Sequence, residues 1–80
     1  TLFRSEEGAA LYAEIGRAIR EARRDREMSQ EQLAKAIEFA RTSIVNIEAG
    51  RQRLTIDTLY DIADALKIQA VSLLPRNEDV

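Results

Sequence analysis

Between Met28 and Gly50 the chain reads MSQEQLAKAIEFARTSIVNIEAG, a pattern that fits two short helices joined by a tight corner. Ser29 is an N-cap residue and Gln32 follows three positions later, so Ser29-Gln30-Glu31-Gln32 forms a capping box that satisfies the first amides of a helix. Leu33, Ala34 and Ile37 give that helix a narrow apolar stripe. The period breaks at Glu38-Phe39-Ala40, and a new one opens with Ile44 and Ile47. Gly50 then supplies a C-terminal stop.

At about 100° per residue, Ile44, Ile47 and Glu48 lie on one side of the second helix, with Arg41, Thr42, Val45, Asn46 and Ala49 on the other. The first side suits a core. The second carries hydrogen-bonding groups without a large aromatic, and Arg, Thr and Asn near a helix N-terminus suit base edges and phosphates in a major groove that admits a helix.

Eighty residues with 45% apolar content make one domain, short enough to gain from dimerisation. With Cys 0 and His 0, a disulfide framework, the usual zinc sites and thiol or imidazole catalysis are excluded. An enzyme is therefore not expected, nor are catalytic residues, a metal, a cofactor or a small-molecule ligand. No apolar run approaches the ~20 residues that span a bilayer and no secretory signal is present, so a cytoplasmic protein without a membrane partner is expected.

The net charge of −2 speaks against a nucleic-acid partner until it is resolved by position. Residues 17–53 carry nine basic and six acidic groups, whereas the flanking segments are both negative. The positive block coincides with the two-helix stretch, and phosphate binding follows local rather than total charge.

In this arrangement the chain resembles the helix-turn-helix domain of phage-repressor-like regulators, the xenobiotic-response-element family. The residues that carry the resemblance are Ile19-Arg20-x-x-Arg23, Ser29-Gln30-Glu31-x-Leu33-Ala34, Arg41-Thr42-Ser43-Ile44, Ile47-Glu48-x-Gly50 and Leu59-x-x-Ile62-Ala63-x-x-Leu66. The set extends from about Tyr12 to Leu74. Two positions depart from the family pattern: Glu38 stands at the corner in place of the usual Gly, and Leu54 stands in place of the usual Pro before the fourth helix. The first asks a non-glycine residue for a positive φ.

Along the rest of the chain, residues 1–10, with Leu2 and Phe3, are expected to form an N-terminal arm or extra helical turn. Residues 11–75 form the helix-turn-helix domain and residues 76–80 a polar tail. Leu11, Ile15, Ala18, Ile19 and Ala22 make the stripe of a first helix that runs to about Glu27. Arg17, Arg20, Arg24, Arg26 and Lys35 read as solvated surface. Arg23 lies beside the stripe, and Glu48, on the core side of helix three, is its expected counterpart, since a lone buried charge is costly. The resemblance implies an internal salt bridge between these two positions.

The resemblance also implies that Gln30 contacts backbone phosphate or braces a base-reading side chain, a role compatible with helix capping. Arg41, with its fork for guanine, and Thr42, Ser43, Val45 and Asn46 are the candidate base-contacting residues. Arg51, Gln52 and Arg53, just after Gly50, are candidate contacts to the DNA backbone. Thr55 caps a fourth helix through Leu59, Ile62, Ala63 and Leu66, with Asp57 early and Lys67 at its end. A short fifth helix carries Val71, Leu73 and Leu74 before Pro75 and is the candidate dimer interface.

The expectation is an all-α, compact five-helix domain, lambda-repressor-like, that binds double-stranded DNA as a homodimer on a (pseudo)palindromic operator and regulates transcription. Restriction-modification controllers and phage-type repressors are the circuits that the resemblance offers. The alternative is an antitoxin or a protein-interaction module that uses the same fold to bind a protein partner.

Overall fold

Five apolar patches separated by four well-signalled stops give four α-helices and a final turn. The computed structural model describes residues 5–75, with side chains from Gly8 onward, and contains no strand among them. The elements are α1 (Ser5–Asp25), α2 (Gln30–Ala36), α3 (Arg41–Glu48), α4 (Ile56–Leu66) and a single 3-10 turn (Ala70–Leu73). The expected fifth helix is this turn: too short to hold itself by backbone bonds, it is anchored by Leu73, which is buried in the core. Helix one begins earlier than its apolar stripe, so the segment read as an arm or extra turn is helical from Ser5. Residues 1–4, with Leu2 and Phe3, and the tail 76–80 lie outside the described residues.

Starts and stops follow local chemistry. Ser29 Oγ accepts from the Gln32 amide at 3.0 Å while Gln32 Oε1 accepts from the Ser29 amide at 2.7 Å, a complete capping box. Thr55 caps α4 by accepting from the Thr58 amide. Its hydroxyl also donates to Asp57, whose carboxyl is thereby held below the ordinary carboxylate range.

All four helices stop in the same way. The amides of Met28, Phe39, Arg51 and Ile68 each donate to the carbonyl five residues earlier, on Arg23, Ala34, Asn46 and Ala63. The residue before each of these donors is left-handed: Glu27 at φ 54°, Glu38 at 62°, Gly50 at 78° and Lys67 at 58°. The corner between α2 and α3 therefore keeps its left-handed turn with Glu in the glycine position. Helix one ends at Asp25, two residues before the expected Glu27, because Glu27 is that turn residue.

Three of these left-handed residues are exposed, so their Cβ atoms meet no packed neighbour. Gly50 differs, since a Cβ there would lie 2.8 Å from Ala13 Cα on α1. Glycine is required at that one stop by space as well as by φ.

Ile15 and Ile19 of α1, Leu33 and Ala34 of α2, Ile44 and Ile47 of α3, and Leu59, Ile62, Ala63 and Leu66 of α4 meet in one core with Leu73. Full burial of an aliphatic side chain of this size stabilises by about 1.5–3 kcal/mol. Leu54, at the usual proline position, packs partly buried against the same core.

Candidate nucleic-acid interface

The inner side of α3 is fixed before its outer side can be used. Ile44 and Ile47 are fully buried, and α1 presses so closely that a Cβ on Gly16 would sit 2.4 Å from the carbonyl oxygen of Ile47. Beside them lies a bidentate ion pair: Arg23 Nε donates to Glu48 Oε2 at 2.7 Å and Arg23 Nη2 to Oε1 at 3.0 Å. Both residues are buried, at 8% exposure each.

The remaining polar atoms of the pair are occupied as well. Arg23 Nη1 donates to the Met28 carbonyl at 2.8 Å, and Gln30 Nε2 donates to Glu48 Oε1 at 3.1 Å. One carboxylate thus ties the end of α3 to α1 and to the first turn of α2. No buried side-chain nitrogen or oxygen among the described residues lacks a partner, so the desolvation cost of the charges is offset locally. Gln30 is half-buried, its amide nitrogen facing Glu48; its neighbour Gln32, rather than Gln30, closes the capping box.

The outer side of α3 is open. Arg41 and Thr42 are exposed in its first turn, and Ser43, Val45 and Asn46 are half-buried. Neither a side-chain cap nor an acidic residue occupies that first turn, so nothing there opposes an approaching anion. Asn46 is joined to the following loop, its Oδ1 accepting from Arg51 Nε at 3.2 Å. This bond spans the α3 stop, and the five-residue spacing across Gly50 is the sequence signal for it.

The other two loop residues are placed differently. Gln52 is half-buried, and the Arg53 guanidinium lies 5.7 Å from the centre of the Tyr12 ring, steadied by its π face. Arg51 and Asn46 are therefore brought together, while Arg53 is directed to α1. Arg26 also has a use that its place on a solvated face conceals: Nη2 donates to the Lys67 carbonyl at 3.0 Å and caps the end of α4.

At the opposite end of the chain the proposed dimer residues separate. Leu73 is 1% exposed and belongs to the core, so it is not available to a partner; the apolar spacing that marks it records attachment of the turn. Val71 and Leu74 are exposed. With them the structure exposes Ile56 and Tyr60, one turn apart on α4. Tyr60 and Val71 line one shallow groove, and Ile56 and Leu74 line another. Among the described residues no helix is long and apolar enough to cross a membrane, and no group of metal-ligating side chains is assembled.

Known proteins share this fold. The chain is 28% identical over 65 residues to an HTH-type transcriptional regulator, y4dJ, of Sinorhizobium fredii, a span that covers 81% of this chain and 84% of the relative. The restriction-modification controller protein C.AhdI of Aeromonas hydrophila superposes with a TM-score of 0.76 at 27% identity, over 79% of this chain and 96% of its own. A hypothetical transcription factor of Neisseria, NHTF, superposes with a TM-score of 0.77 at 29% identity, over 90% of this chain and 82% of its own. The helix-turn-helix family profile matches residues 19–73, from the core of α1 through the last turn, and the chain belongs to that family of DNA-binding transcriptional regulators.

Proposed function

We propose that the protein is a sequence-specific regulator that binds a (pseudo)palindromic site in double-stranded DNA as a homodimer, each subunit laying α3 in one major-groove segment. The observation that carries this reading is the two-sidedness of α3. Arg41 and Thr42 project from its uncapped first turn, while the opposite side is locked by Ile44, Ile47 and the Glu48 pair. A reading helix needs both, since base discrimination depends on side chains held in register.

Arg41, Thr42, Ser43, Val45 and Asn46 are the base readers. Gln30, Arg51, Gln52 and Arg53 meet the backbone. Ile56, Tyr60, Val71 and Leu74 form the subunit contact, an apolar surface spread over α4 and the final turn. The likeness to a restriction-modification controller favours a controller or repressor circuit. An antitoxin or protein-interaction role would use the same fold without the charged loop.

Selection of bound sequences from a random duplex pool tests the reading. The expected product is two related half-sites about one helical turn apart. Absence of binding to any duplex at low salt, with the fold intact, overturns it in favour of a protein partner.

A further inference from the structure

We propose that Arg20 and Arg24 of α1 form a second phosphate-binding site that grips the duplex backbone alongside α3, an inference that rests on the DNA-binding reading above. The two arginines line a cleft of about 370 Å³ with Gln30 of α2 and with Val45 and Ala49 from the outer side of α3, above the Arg23–Glu48 pair. The cleft is therefore continuous with the surface assigned to the groove. A duplex seated on Val45 brings its backbone to this edge.

Charge selects the occupant. Arg23 and Glu48 neutralise one another, and Gln30 is neutral, so the cleft keeps the two exposed guanidinium charges of Arg20 and Arg24. Among the described residues the one charge pair within 4.0 Å is Arg23–Glu48, so neither cleft arginine is bridged to a described carboxylate. They stand four residues apart on one helix, an arrangement in which like charges repel. A polyanion seated in the cleft relieves that repulsion. Arg17, on the same helix, is not among the residues that line this cleft.

The test measures binding of the full chain to its selected site and to random duplex across a salt series, for wild type, Arg20→Gln, Arg24→Gln and Arg17→Gln. Arg20→Gln and Arg24→Gln each lower affinity by the same factor on both duplexes. Each also flattens the log-log salt slope by about one unit for every phosphate no longer neutralised, with base preference retained. Arg20→Lys restores most of the slope, because a point charge still meets a phosphate. Slopes for both Gln variants that equal wild type, or that equal Arg17→Gln, overturn the proposal while the DNA-binding reading stands. Failure of the wild type to bind any duplex overturns both.

Discussion

Gly16 of α1 lies so close to Glu48 of α3 that a Cβ on Gly16 would sit 2.6 Å from the Glu48 carbonyl oxygen. Two opposing effects meet there. In an exposed helix interior, Gly→Ala gains about 0.5–1 kcal/mol. Here the added methyl meets backbone rather than a flexible side chain, and overpacking of this kind costs about 1–3 kcal/mol. Gly16→Ala is therefore expected to lower stability, read as a fall in the urea midpoint; a rise would mean that α1 and α3 separate at no cost.

The buried pair predicts a cycle with strong coupling. Glu48→Ala strands the Arg23 guanidinium and Arg23→Ala strands the carboxylate, each costing about 3–5 kcal/mol, whereas replacing both with apolar residues costs much less. Unfolding of the two single variants and the double variant measures this. Small and additive single effects would show that water already reaches the pair.

Arg41→Ala is expected to cost about 1–3 kcal/mol on the selected site and to relax preference at one symmetric pair of positions, one per half-site. Affinity for random duplex falls far less. Equal loss on both duplexes would make Arg41 a phosphate contact and move specificity to Thr42, Val45 and Asn46.

At the α2–α3 corner, a non-glycine residue in the left-handed region bears about 1–2 kcal/mol of strain. Glycine would remove it at an entropic cost of about 0.5–1 kcal/mol. Glu38→Gly is thus expected to raise stability by up to about 1 kcal/mol in denaturant unfolding, and Glu38→Val to lower it by more than that, since a branched side chain tolerates this φ worst.

Features that depend on neighbours within one turn or on helical phase were readable from the residues. The Ser29 box, the Thr55 cap and the core side of α3 are all of this kind, whereas the left-handed demand at Glu38 came from the resemblance, which implies Gly at that corner. What escaped depends on which helix approaches which. Gly16 sits in a helix interior and its necessity appears only when the end of α3 is laid across it. Arg26 looks solvated until the end of α4 arrives beneath it. Leu73 and Leu74 carry the same apolar label, and only packing sends one to the core and leaves the other outside. Arg20 and Arg24 likewise need α2 and α3 beside them before they line a cleft.

The Glu48 carboxylate, held by Arg23 and Gln30, has a consequence for genetics. A collection of mutants chosen only for loss of regulation should include Gly16, Arg23 and Glu48 as readily as Arg41, because a recognition helix that is no longer seated fails as completely as one with its reading side chains removed. The two groups part only when the purified chains are heated: the first melts early, and the second melts with wild type.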